Sequence, residues 1–141
     1  MSLNNLFGIA GSALNAQTIR MNITSSNLAN ASTVSSSEKN AFKATRAIFK
    51  TILDEEFSTA KGSNEGGVKV DGLMSDPAPI IKIQQPGHPL ADKEGFIYQS
   101  NVNEMGEMID MMAASRSYQN NIEVINTARQ LMMRTIDSIK N

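Results

Sequence analysis

The sequence predicts a mainly α protein with a small β-rich insert, in which long N- and C-terminal helices pack as a coiled-coil-like hairpin around a central loop and β segment. Three observations carry this reading. Apolar residues recur at steps of three and four through both ends of the chain. All four prolines fall between residues 38 and 101, with six of the nine glycines. Short apolar runs in that middle stretch are bounded by Gly, Pro or Asp turn signals. A chain of 141 residues is enough for one domain. Composition divides it into 1–37, an N-terminal helix with an Asn-rich turn; 38–101, the insert; and 102–141, a long C-terminal helix.

In the first part Arg20 is the only charged side chain through Ser37. Leu3, Phe7, Ala10, Leu14, Gln17, Met21, Thr24 and Leu28 follow one another at steps of four and three, the seam spacing of a packed helix. The seam is weakly apolar. Asn4 or Asn5 can cap its start, and the polar run from Asn30 to Ser37, with β-branched Val34, ends it.

The insert cannot be one long helix, because proline removes a backbone donor and clashes with the preceding turn. Phe42, Ile48, Phe49, Ile52, Leu53 and Phe57 form an apolar group of mixed periodicity, read as extended structure or a short helix. Lys61 to Gly67 reads as a polar loop. Val68 to Val70, Ile80 to Ile83 and Phe96 to Tyr98 read as short strands.

The third part has no proline and one early glycine, Gly106. From Glu104, steps of four and three give Met108, Met111, Ser115, Tyr118, Ile122, Ile125, Arg129, Met132, Ile136 and Ile139. A second line through Met105, Ile109 and Met112 widens the stripe at its start. Such a helix extends about 50 Å at its rise per residue. Glu104, Glu107 and Asp110 near its start and Arg129, Arg134 and Lys140 toward its end complement the macrodipole, which is preferred to an acidic active site.

Composition removes several function classes. With 13 Lys+Arg against 14 Asp+Glu there is no basic cluster to bind nucleic acid or an anionic membrane. No Cys and a single His leave no thiolate nucleophile, no thiolate-held zinc and no imidazole pair, so no cofactor is expected. His88 lies in a Pro-rich turn with no partner acid or nucleophile in view. Asp54, Glu55 and Glu56 are adjacent acids that point in different directions, and Gly62, Gly66 and Gly67 fit neither a P-loop nor a dinucleotide fingerprint. No apolar run is long enough to span a bilayer, so no direct membrane insertion is expected. Met1 to Ser12 lacks the basic and apolar regions of a Sec signal.

The two helices are unequal. Pairing the N-terminal seam with the longer C-terminal stripe leaves apolar surface over, especially around Met108, Met111 and Met112. Further chains can cover it, while a monomeric hairpin capped by the β unit satisfies the same seams.

Asn27-Leu28-Ala29-Asn30-Ala31-Ser32-Thr33, preceded by Ala10 to Gln17 and Arg20-Met21-Asn22, resembles the signature of the bacterial flagellar basal-body rod proteins. His88 to Asp92, Gly95 to Tyr98, Asn101-Val102, Glu107-Met108, Ala114 to Gln119 and Val124 to Thr127 resemble the pattern of the family's short proximal members, in order and spacing. Residues 35–64 match nothing in that pattern. The resemblance implies a non-enzymatic structural subunit of the periplasm-spanning rod. It implies self-association in a helical assembly, contacts with other rod and basal-body subunits, and passage through the flagellar type III export apparatus without a cleaved Sec signal. The termini would form one assembly domain that transmits torque.

On that basis the expected seams within and between subunits are Leu3, Phe7, Leu14, Met21 and Leu28 with Met108, Met111, Tyr118, Ile122, Ile125, Met132, Ile136 and Ile139. Asn27 and Asn30 are polar turn candidates whose side chains replace backbone partners at a helix end. Arg116 is suited to bidentate contacts across an interface, or equally to a solvated place beside a core Tyr118. The rival reading is a soluble helical adaptor or export-associated chaperone that binds without building.

Overall fold

The computed structural model describes residues 3–52 and 66–140, with the side chains of Leu3, Asn4 and Lys140 outside the described set. Helix α1 spans Leu3–Ala29 and helix α2 spans Glu104–Lys140. Between them lie β1 (Val34–Ser35), a 3-10 turn at Glu38–Asn40, β2 (Thr45–Ile52), β3 (Gly67–Ser75), β4 (Ile81–Gln84) and β5 (Phe96–Gln99).

The ends of both helices follow from local chemistry. Asn30 donates from Nδ2 to the Ser26 carbonyl at 2.8 Å, and Thr33 Oγ1 donates to the Asn30 carbonyl at 2.7 Å, so side chains add second bonds to carbonyls already paired with backbone N–H groups where α1 turns off. Asn103 caps α2: its Oδ1 accepts the Gly106 N–H at 3.1 Å. With 37 residues, α2 runs about 55 Å.

The helices pack antiparallel. The C-terminal part of α1 meets the start of α2 through Asn27 and Glu107 and through Arg20 and Asp110, whereas Leu6 near the start of α1 shares a cleft with Val124, Ala128 and Leu131 far along α2. The insert forms two separate sheets. In one, β5 is central, pairing antiparallel with β1 (Val34 with Gln99) and β4 (Ile83 with Ile97). This sheet ties the chain just after α1 to the chain just before α2. The other is the two-stranded β2–β3 hairpin, Thr45 opposite Ser75 and Ile52 opposite Gly67, with a bulge between Ile48 and Phe49.

Several local expectations shift. Gly67, assigned to a loop, opens β3, which runs five residues beyond Val70 to Ser75. The group around Ile48, Phe49 and Ile52 is a strand. Ile80 precedes β4, and Val34, assigned to the run that ends the helix, forms β1. Leu53, Phe57, the acids Asp54 to Glu56, and Lys61 to Glu65 lie outside the described residues.

Two glycines are required by geometry. Gly95 has φ +81° beside Pro86, a region side chains rarely enter. A Cβ on Gly67 would stand 2.8 Å from Ser12 Oγ, so β3 starts in close approach to α1. The buried apolar core is small and consists mostly of alanine: Ala10, Ala16, Ala31, Ala41, Ala44, Ala114 and Ala128, with Ile97 and Val102.

Candidate assembly surface

Along α1 every described position of the expected seam faces inward to some degree: Ala10 and Thr24 are buried, and Phe7, Leu14, Gln17, Met21 and Leu28 are half-buried. The side chain of Leu3 lies outside the described residues.

Along α2 the contact line differs from the expected one in half of its positions. Glu107, Ala114 and Ala128 are buried, and Met111, Tyr118, Asn121, Ile125 and Met132 are half-buried. These residues repeat at steps of four and three, sharing Met111, Tyr118, Ile125 and Met132 with the sequence reading. The other half is displaced by one residue. Met108, Ile122, Ile136 and Ile139 are exposed, as is Arg116. The reading followed the large apolar side chains, whereas the hairpin seats the small ones. Ala114 is 0% exposed and lets α1 approach closely, while Met112, two residues earlier, is 64% exposed. Met105, Met108, Ile109 and Met112 stand together on one outward face at i, i+3, i+4 and i+7. An apolar groove is lined by Leu6 together with Val124, Ala128 and Leu131.

A polar cluster holds the helices and the β2–β3 hairpin together. Asn27, 1% exposed, accepts the Thr45 N–H on Oδ1 at 2.9 Å and donates from Nδ2 to the Thr45 carbonyl at 2.9 Å and to Glu107 Oε2 at 3.1 Å. It therefore acts on a strand rather than on a helix end. Asn30 plays the capping part. Arg46 reaches Asp76 at 3.1 Å, Glu107 Oε1 at 3.3 Å and Asp110 at 3.4 Å, and Arg20 pairs with Asp110 at 2.8 Å. Asn101 accepts the Ala44 N–H at 2.7 Å and donates to the Ala78 carbonyl at 2.8 Å. The Asp76 carboxyl is held below its ordinary range by the Ala78 N–H and by Arg46. In the other sheet, Asp92 is held low by the N–H groups of Phe96 and Glu94 and the Tyr98 hydroxyl, while burial and Asp92 push Tyr98 up.

This cluster was not anticipated. Glu107 and Asp110 read as helix-dipole charges, yet Glu107 is 2% exposed and internally paired. The available signal was Arg20, a lone charge in an otherwise uncharged helix, and two acids three residues apart on one face of α2.

Known proteins divide along the same lines. The family described as "Flagella basal body rod protein" matches residues 7–34, and that described as "Flagellar basal body rod FlgEFG protein C-terminal" matches residues 93–138. At full length, the chain is 43% identical over 136 residues to the "Flagellar basal-body rod protein FlgC" of Yersinia enterocolitica, covering 96% of this chain and 97% of the relative. The chain belongs to the flagellar basal-body rod protein family. The proteins of the same name from Salmonella typhimurium and Buchnera aphidicola of Acyrthosiphon pisum are 43% and 45% identical, each over 96% of the chain and 97% of the relative. The rod family is structural and not enzymatic. Its two conserved models cover α1 with its turn and β5 with α2, the parts that form the hairpin. Among the described residues no helix is long and apolar enough to cross a membrane.

Proposed function

We propose that this structural rod subunit polymerises through its terminal helices, transmits torque through their packed seams, and carries its β insert on the outer side of the resulting tube. The observation that carries the reading is the inversion along α2. Glu107, Ala114, Asn121 and Ala128 alternate with Met111, Tyr118, Ile125 and Met132 along the inward line, while Met105, Met108, Ile109, Met112, Ile122, Ile136 and Ile139 stay in solvent. The patch of Met105, Met108, Ile109 and Met112 is characteristic of an interaction surface, and Met adapts to irregular partners. Heterologous contacts that do not close generate helical assemblies, and core-like packing resists the sliding that torque would cause.

In this account both helix seams pack in coiled-coil fashion, within the hairpin and between subunits. The interface set is Leu3, Phe7, Leu14, Met21, Leu28, Met108, Met111, Tyr118, Ile122, Ile125, Met132, Ile136 and Ile139, with Arg116 reaching a neighbouring subunit. Other rod and basal-body subunits are the partners, in the periplasm-spanning rod. The flagellar type III apparatus exports the chain without a cleaved Sec signal. Met108→Asp with Ile122→Asp tests this, since both side chains are exposed and the fold should tolerate them. The double variant should be expressed and folded yet fail to restore motility to cells lacking the subunit. Normal motility would contradict the proposal.

A further inference from the structure

The β2–β3 hairpin has little of its own to hold it in place. It pairs with no other strand among the described residues, and a two-stranded sheet alone is marginal in water. Its apolar side chains bury only in part: Ile48, Phe49, Leu73 and Met74 are exposed, and Ala47, Ile52, Val68 and Val70 are half-buried.

Polar bonds add to this partial packing, and both ends of the hairpin are anchored on α1. At one end, the Asn27 amide takes both backbone groups of Thr45, as a neighbouring strand residue would. At the other, Ser12 Oγ accepts the Val68 N–H at 3.2 Å. Asn27 and Ser12 lie fifteen positions apart, about 22 Å along a helix, so the hairpin is held along α1 at two points. The Asn27 anchor is tied in turn to α2. Its Nδ2 has two hydrogens, one given to Thr45 and the other to buried Glu107, whose second oxygen lies 3.3 Å from Arg46 of the hairpin itself.

We propose that Asn27, Glu107 and Arg46 form a latch that couples the helix pair to the β2–β3 hairpin. The hairpin keeps its place only while α1 is helical through Asn27 and α2 presents Glu107 beside it. When α1 is displaced at Asn27, Thr45 loses both of its hydrogen bonds to that amide; when α2 is displaced, Asn27 and Arg46 lose Glu107 and the Thr45 end is held less firmly. The β4–β5–β1 sheet is held separately, through backbone pairing and the bond from Ser100 N–H to the Thr33 carbonyl, and meets the base of the hairpin at Asn101, which accepts the Ala44 N–H. The latch acts within one chain and does not depend on the assembly reading.

Residue-resolved hydrogen exchange on the full chain tests it, with Asn27→Ala, Arg46→Ala and the control Asn30→Ala, which removes only a local helix cap. Asn27→Ala should speed exchange of paired β2–β3 amides about tenfold or more, the scale of one net hydrogen bond or above, and leave β4–β5 amides unchanged. Arg46→Ala should act in the same direction, and Asn30→Ala should leave β2–β3 unchanged. Unchanged β2–β3 protection in both Asn27→Ala and Arg46→Ala would overturn the latch. So would an equal loss in β4–β5, which would mean general destabilisation.

Discussion

Arg20 and Asp110 join the two helices through a 2.8 Å ion pair, the one use made of the only charged residue in the first 37. Both side chains are more than a third exposed, so water and salt screen the pair. Its geometry sets helix register more than it adds stability. Arg20→Ala should lower unfolding free energy by no more than about 1 kcal/mol, with the difference shrinking at high salt. Urea titration at two ionic strengths measures this.

Glu107 stands in a different environment. It is buried, accepts from Asn27 and faces Arg46. Removing it strands the Asn27 donor and leaves a hole where α1, α2 and β2 meet. Glu107→Ala should cost about 2–4 kcal/mol. Glu107→Gln, which keeps an acceptor for Asn27, should cost roughly half as much or less. Denaturant midpoints of the two variants give the ranking, and equal losses would show that packing alone matters there.

Gln17 occupies a seam position of α1 with its Oε1 buried and accepting no hydrogen bond. A buried polar group without a partner carries a desolvation cost with no return. Gln17→Met, similar in shape and flexible, should raise stability by about 1 kcal/mol, seen as a higher melting temperature.

Asp76 gives the fold an acid limit. Its folded-state pKa lies below the ordinary 3.8 because the Ala78 N–H and Arg46 favour the carboxylate. A depressed pKa means that the unfolded chain binds more protons in that window. The Asp76 contribution is therefore fully present above about pH 4 and is lost as pH falls through the lower folded value. Asp76→Asn should flatten the rise of stability with pH below the ordinary carboxylate value of 3.8, measured by thermal unfolding in acid.

These cases show what the sequence made legible. The two helices and three of the five strands announce themselves through periodicity and turn residues, because those signals are local. The α1 seam is equally plain: Phe7, Ala10, Leu14, Met21 and Leu28 are its apolar members, so they indicate the inward face directly. In α2 the same logic misplaces half of the line. Periodicity ranks Met108 and Ile122 above Ala114 and Ala128 by hydrophobicity, but close approach of two helices selects small side chains. The large residues left outside are the ones on which the proposed assembly surface rests. The Asn27 bond to Thr45 and the Arg46 cluster had no local signature, since their partners lie 18 to 80 residues apart in sequence. β1, two residues long, exists only through pairing with β5.

Site-specific photo-crosslinking in assembled basal bodies shows whether the outward side of α2 is an interface, with the probe placed in turn at Met108, Met112 and Ile122 and at the exposed Lys82 of β4. The account predicts crosslinks from all three α2 positions to neighbouring rod subunits. Incorporation of the chain with intact motility but no crosslink from any of the three would contradict it.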